Sequence, residues 1–258
     1  MTPSLLLLIG FVAAMLLMTG LWFIQRKTGN AGIVDVAWAG AVGDLGVLYA
    51  LFGTAPRSLR WLVGGMIAVW SIRLTSYLYV RVVGEPEEGR YKQLREDWGE
   101  NANRNLLFFY WFQAAGAWVF ALPAFVIAHG AWPALPLVGL AVSMWILGIG
   151  GVALSDWQLK KFKQDPDSKG KTCRRGLWRY SRHPNYFFEW IHWCSYIPLS
   201  LASGYWWVTT LVALSLLYLI LFKTGIPPTE KQALKSRGED YREYQRTTNA
   251  FVPWFPKE

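Results

Sequence analysis

The chain has 258 residues, 53% of them hydrophobic and 16% aromatic, with 16 Trp and a formal net charge of +9. Apolar runs near or above 18 residues recur along it, each long enough to cross a hydrocarbon core of about 30 Å, and they leave little chain for a soluble domain. Two Cys and three His make neither a disulfide framework nor a metal-ligand spacing.

In chain order the runs fall at 4–25, 31–53, 59–80, 105–128, 133–155, 185–203 and 205–223. The first lacks a basic n-region and an A-x-A site, so it is expected to remain as a span. These seven spans predict an all-α integral membrane protein, a single domain over 1–258. Segments 26–30, 81–104, 156–184 and 224–258 then share one side, together with Lys223. They hold every Lys and Arg except Arg57 and Arg60, on the opposite side, and Arg73, inside a span. Such a bias marks the rich side as cytoplasmic and places the N-terminus outside and the C-terminus inside. It also accounts for the positive charge without nucleic acid as a partner.

Three cytosolic segments carry polar sequence. RVVGEPEEGRYKQLREDWGENANR (81–104) predicts a short helix from Glu87 to Trp98, after Pro86. The mostly basic loop 156–184 begins as an extension of the fifth helix and turns at Asp165–Pro166–Asp167. The tail opens on Pro227 and Pro228, which suit a helix start with Glu230 in its first turn. Leu234, Tyr241 and Tyr244 are then placed to pack on the cytosolic end.

Polar residues inside an apolar span carry a cost, so their positions are informative. Asp35, Arg73, Gln113, Asp156, Asn185 and Glu189 all fall within roughly 12 Å of the inner boundary at about 1.5 Å per helical residue. Asn185, Glu189, His192 and Tyr196 follow i, i+4, i+7, i+11 spacing, one polar stripe on an otherwise apolar helix. Pro184 suits the first position of that helix, whose N-terminus then points at the basic loop, a setting that favours phosphate. The same residues also suit a hydrogen-bond network that only fixes packing. Arg73 suits an ion pair with Asp35, and Asp44 a contact within the bundle. Trp38, Trp70, Trp190 and Trp193 lie deep enough to wall a flat lipophilic ligand or simply to pack. A cytosolic cavity, polar at its mouth and aromatic within, suits a phosphorylated cofactor above a lipophilic substrate. No GxGxxG occurs, which argues against a Rossmann cofactor domain.

Several pieces resemble the membrane steroid 5α-reductase-like family, in the bacterial branch often described as a domain of unknown function. They are SDWQLKKFK (Ser155–Lys163), GLWRYSRHPNYFFEW (Gly176–Trp190) and EDYREYQRTTNAFVPWFP (Glu239–Pro256). GIVDVAW (Gly32–Trp38) and EGRY (Glu88–Tyr91) fit that branch as well. The resemblance implies NADPH bound from the cytosol, in a bacterial inner membrane, and reduction of a conjugated enone such as a 3-oxo-Δ4-steroid. Residues 1–128 would form the substrate side and 133–258 the cofactor half, with membrane lipid around both. Asp156, Lys163, Asn185, Glu189 and Trp193 align with the family's cofactor-pocket positions. Lys160, Arg174, Arg179, His183, Tyr186, Glu230 and Tyr241 are added from the basic and polar rim, and Trp38, Trp70 and Gln113 as substrate contacts.

In the animal enzymes a Glu–Tyr pair binds the ketone. Here Asp35 is the acidic counterpart, but the position matching the tyrosine falls near Trp70, so Arg73, Tyr77 or Tyr91 becomes the candidate donor. The rival reading is an isoprenylcysteine-type methyltransferase using S-adenosylmethionine, which shares an entrance like Arg182–Tyr186. Such enzymes carry adjacent glutamates in the tail helix, whereas Lys231 follows Glu230 here.

Overall fold

The computed structural model describes residues 2–87 and 89–257 and is all-helical over them, with eleven α-helices and no strand. They are α1 (Pro3–Thr28), α2 (Ile33–Phe52), α3 (Arg57–Val82), α4 (Gly89–Trp98), α5 (Ala102–Ala128), α6 (Leu135–Gln164), α7 (Pro184–Cys194), α8 (Tyr196–Ser200), α9 (Trp206–Tyr218), α10 (Ile226–Arg237) and α11 (Glu239–Thr247). Among the described residues, six helical stretches are long and apolar enough to cross a membrane: α1, α2, α3, α4–α5, α6 and α9–α10.

The expected span 185–203 is not one continuous helix. Its polar stripe lies on α7, which stops at Cys194, and a five-residue α8 follows. Pro198 supplies no N–H for the Cys194 carbonyl, and Ser195 Oγ donates to the His192 carbonyl at 2.5 Å, competing with the helical ladder. The fifth helix does extend past the apolar run, to Gln164, and a 3₁₀ turn follows at Pro166–Ser168. The loop helix expected from Glu87 begins at Gly89 instead. Glu87 lies before it and turns its carboxylate onto the Ala31 N–H and the Arg95 guanidinium. Glu88, in the EGRY match, lies outside the described residues.

The chain divides into two compact units. The first contains residues up to Trp132 together with 200–208 and is built on α1, α2, α3 and α5. Glycines let α2 approach α3 closely. A Cβ at Gly43 would stand 2.2 Å from the Ser71 side chain, and one at Gly46 2.8 Å from Ile67. Ser71 Oγ donates across this contact to the Ala39 carbonyl at 2.8 Å. Three indole N–H groups, at different depths, bind α1 to α5. Trp118 donates to the Leu7 carbonyl, Trp111 to Thr19 Oγ1 and Trp22 to the Asn103 carbonyl, at 2.8–3.0 Å. In an apolar setting a bulky ring with one donor both fills space and fixes register.

The second unit holds 133–199 and the chain from Thr209 onward. Its α6 and α7 pack through Gly148 and Gly151. A Cβ at Gly148 would reach the His192 backbone nitrogen at 2.7 Å, and one at Gly151 the Phe188 ring at 2.2 Å. Gly148→Val or Gly151→Leu is therefore expected to cost at least about 1–3 kcal/mol through overpacking. A lowered melting temperature of the purified protein would register it, and an unchanged one would mean that α7 shifts freely along α6. α9 ends in one π-helical turn, Leu219–Lys223. Thr224 N–H donates to the Leu219 carbonyl at 2.8 Å, and Gly225, too close to Ile220 for any side chain, lets α10 leave in a new direction.

Candidate functional site

Each unit carries a polar cluster. In the first it forms where α2 begins and α4 lies. Asp35, in the first turn of α2, accepts a hydrogen bond from the Tyr91 hydroxyl at 3.0 Å on Oδ1 and from Arg90 Nη2 on Oδ2. Arg90 Nη2 also donates to the Tyr91 oxygen at 2.6 Å, and its guanidinium stacks 4.6 Å from the centre of that ring. Tyr91 is 0% exposed, whereas the Arg90 side chain is 55% exposed. The buried phenol thus holds the carboxylate while the guanidinium keeps donors toward the outside.

A second layer braces this triad. Arg95 pairs with Glu87 at 2.9 Å and donates to Gln25 Oε1 at 2.7 Å. Glu87 in turn accepts from the Ala31 N–H at 2.7 Å, and Tyr110 donates to the Ala31 carbonyl at 3.0 Å. Asn30 joins the α1–α2 turn to the Val82 and Glu85 carbonyls at 3.3 and 3.1 Å. Every charge here has a partner, which is what permits burial.

Next to the triad, α2, α3 and α5 present matching faces. Asp35 and Trp38 are three residues apart on α2, while Trp70, Arg73 and Tyr77 follow helical spacing on α3. Gln113, Gly116 and Phe120 do the same on α5. The Trp38 ring meets Trp70 edge-on at 6.3 Å and Phe120 at 5.3 Å. Trp70 is buried, Trp38, Arg73 and Gln113 are half-buried, and Tyr77 is exposed. Asp44 lies on the outer face of the unit.

The cluster of the second unit centres on Glu230 in α10. Its Oε1 accepts from Arg182 Nε at 2.7 Å, and His183 Nε2 and the Tyr241 hydroxyl lie 3.3 Å from the same oxygen. Gln245 Nε2 donates to Oε2 at 2.7 Å. Arg182 also donates through Nη1 to the Gln245 and Thr248 carbonyls, at 3.1 and 2.6 Å. Burial pushes the His183 imidazole below its ordinary value and the Tyr241 phenol above its own, so both stay neutral near pH 7. Tyr186 stacks on His183 at 5.3 Å between ring centres, and its hydroxyl lies 3.2 Å from Thr229 Oγ1.

The segment 176–182 is fastened on both flanks. Trp178 donates to the Ser155 carbonyl at 2.9 Å, Ser181 to the Phe251 carbonyl at 2.8 Å, and buried Tyr244 to the Trp178 and Ser181 carbonyls. Arg174 is held by Asp240 and Glu243, at 3.1 and 2.9 Å. Tyr241 and Tyr244 pack with Ala233 and Leu234 in a small core of their own.

The α6–α7 pair holds the remaining polar positions. Asn185 Nδ2 donates to Asp156 Oδ1 at 3.4 Å, and Trp193 Nε1 to Glu189 Oε1 at 3.1 Å. His192 Nε2 lies 3.2 Å from the Tyr196 hydroxyl. Asp156, Lys160 and Lys163 share one face of α6 by i, i+4, i+7 spacing. Beside that face is a groove of about 560 Å³ lined by Trp157, Lys161, Phe162 and Arg175. Lys160, Arg175 and Arg179 are exposed and have no acidic partner among the described residues.

Three groups among the predicted residues are therefore brought together. Asp35 and Tyr91 meet directly. His183 and Tyr241 meet around the Glu230 carboxylate, where Arg182, not among the predicted site residues, joins them, and Asp156, Asn185, Glu189 and Trp193 line one helix pair. Sequence reasoning passed over Arg90, although it stands beside Tyr91 in EGRY. It also passed over Gln25, Arg95 and Gln245, which carry no local signal because their partners lie 70 or 15 residues away. Lys161 and Arg175 were counted only within the basic loop.

No curated protein and no solved structure matches the chain. A family profile described as a protein of unknown function (DUF1295) matches residues 21–248, so it includes both clusters and every predicted site residue. The chain belongs to that family.

Proposed function

We propose that the protein is an NADPH-dependent membrane reductase of steroid 5α-reductase type, acting on the C4–C5 double bond of 3-oxo-Δ4-steroids or similar lipophilic enones. The observation that carries this reading is the Asp35–Tyr91 pair, 3.0 Å apart and backed by Arg90. It supplies an acid–tyrosine couple although Trp70 stands where the tyrosine was sought.

The donor set of the second unit suits the cofactor. Lys160, Lys161, Lys163, Arg175 and Arg179 offer positive charge for phosphates, while Arg174 and Arg182 serve the tail. Asp156, Asn185 and Glu189 offer acceptors and donors for ribose hydroxyls and a carboxamide, Trp157 offers a ring to the groove, and buried Trp193 orients Glu189 through its indole N–H. When bound, NADPH supplies hydride to the β-carbon of the enone. Negative charge then gathers on the ketone oxygen. Arg90, oriented by Asp35 and Tyr91, keeps N–H donors that stabilise it. A proton from water completes the reduction at the α-carbon, so two electrons and two hydrogens enter the double bond. Trp38 and Gln113, both half-buried, are the substrate-side contacts, with buried Trp70 packed against Trp38.

We also propose seven passages of the membrane, with α7–α8 as the sixth, the N-terminus outside and the cation-rich side in the cytoplasm of a bacterial cell. Cofactor identity tests the reading. A ligand that binds only the folded state stabilises it by about 2.7 kcal/mol at a hundred times its Kd. NADPH is expected to raise the melting temperature of the purified protein and S-adenosylmethionine to leave it unchanged. The reverse outcome sinks the reductase in favour of a methyltransferase.

A further inference from the structure

The α2 helix runs from Ile33 to Phe52, so its C-terminal end lies about 25 Å along the helix from Asp35 at 1.5 Å per residue. A cavity of about 350 Å³ is found at that far end, against the start of α3, within the range of roughly 300–1,000 Å³ usual for ligand pockets. Two kinds of lining meet in it. Gly64, Gly65 and Ala68 of α3, with Val47 and Leu51 of α2, make a smooth apolar slot. Arg57 and Arg60 stand one to two turns earlier, at the N-terminal end of α3.

Those arginines are the two cations that the sequence assigns to the basic-poor side, and both line this one cavity. Arg57 is exposed and has no acidic partner among the described residues. Arg60 spends Nη1 on the Leu51 and Ala50 carbonyls, at 2.8 and 3.4 Å, while its Nε is buried with no hydrogen-bond partner. The first turn of α3 contains no acidic residue and no side-chain cap. Two cations at the positive end of a helix repel its dipole unless an anion joins them. Trp61, 70% exposed, lines the same cavity, and indoles favour the level of lipid headgroups.

An inorganic anion would satisfy the arginines and leave the slot beneath them empty, whereas an acyl chain alone would fill the slot and leave the charge uncompensated. We propose that this cavity is a phospholipid site: the phosphate sits on Arg57 and Arg60, and the beginning of one acyl chain lies in the slot formed by Gly64, Gly65 and Ala68. The site belongs to the first unit alone and is independent of the proposed reductase activity.

The test is native mass spectrometry of the full chain in a mild non-ionic detergent, titrated with dioleoyl phosphatidylglycerol and, separately, with dioleoylglycerol. One phosphatidylglycerol is expected to bind, at least about tenfold more tightly than dioleoylglycerol, a gap of about 1.4 kcal/mol. Gly65→Leu fills the slot from a position whose Cβ meets nothing within 4 Å, so the fold should accept it. Arg57→Gln removes one charge from an exposed side chain. Each variant is expected to weaken the phosphatidylglycerol adduct about tenfold or more. Wild-type binding in either variant, or equal binding of dioleoylglycerol, overturns the proposal. A loss in Arg57→Gln alone overturns it as well, because that is the behaviour of a free-anion site. If Gly65→Leu does not fold, Arg57→Gln and the dioleoylglycerol arm decide.

Discussion

Glu230→Ala is expected to destabilise the C-terminal unit by about 3–5 kcal/mol, the usual cost of removing one partner from a buried ion pair. The carboxylate is 15% exposed and its main partner Arg182 12%, so the guanidinium left behind cannot recover its lost charge partner from solvent. The loss spreads, because the same carboxylate also receives Tyr241 and Gln245, and Arg182 holds the Thr248 carbonyl. Thermal melting in detergent, read together with limited proteolysis after Arg237 and Arg242, measures it. The tail should become cleavable at temperatures where the wild-type chain resists. Glu230→Gln keeps an acceptor for Tyr241 and loses the charge, so a smaller loss is expected. Equal stability of the alanine variant and the wild type would show that the cluster contributes nothing to holding the tail.

The second large effect concerns chemistry. Asp35→Ala removes the group that orients both Tyr91 and Arg90, and enone reduction should fall by about 10²–10³-fold, the size seen when one oxyanion donor is lost. NADPH affinity, measured by thermal shift, should stay at the wild-type value because the proposed cofactor residues lie in the other unit. Arg90→Met should lower kcat with little change in KM, since it removes a donor needed mainly once charge has developed. Tyr91→Phe leaves the ring packed and takes away one hydrogen bond to Asp35, so an intermediate loss is expected. A fully active Asp35→Ala variant would remove the acid–tyrosine couple from the mechanism and with it the observation on which the reductase reading rests.

Much of this was legible without coordinates, for reasons that are local. The apolar runs that became α1, α2, α3, α5 and α6 follow from the length of a hydrocarbon core, and Pro184 and the α10 start from the fixed φ and missing N–H of proline. The α7–α8 break was less legible, because Pro198 sits inside an apolar run that reads as continuous by hydropathy. The candidate sites divide the same way. Asn185, Glu189 and His192 stood out because polar groups in an apolar helix are costly, wherever their partners are. Arg90 did not stand out, since an arginine in a loop of mixed charge looks the same whether it meets a phosphate, a carboxylate or water.

By itself, then, the sequence determined an all-helical membrane chain, its family resemblance and the polar residues that require an explanation. Tertiary structure alone decided that Tyr91 and Arg90 meet Asp35, that Arg182 and Arg174 are spent on the tail, and that Arg57 and Arg60 share a cavity with a glycine slot. The physical reason is range. Hydropathy and helix capping act within a few residues, whereas an ion pair joining residues 48 apart, such as Arg182 and Glu230, depends on the packing that brings them together.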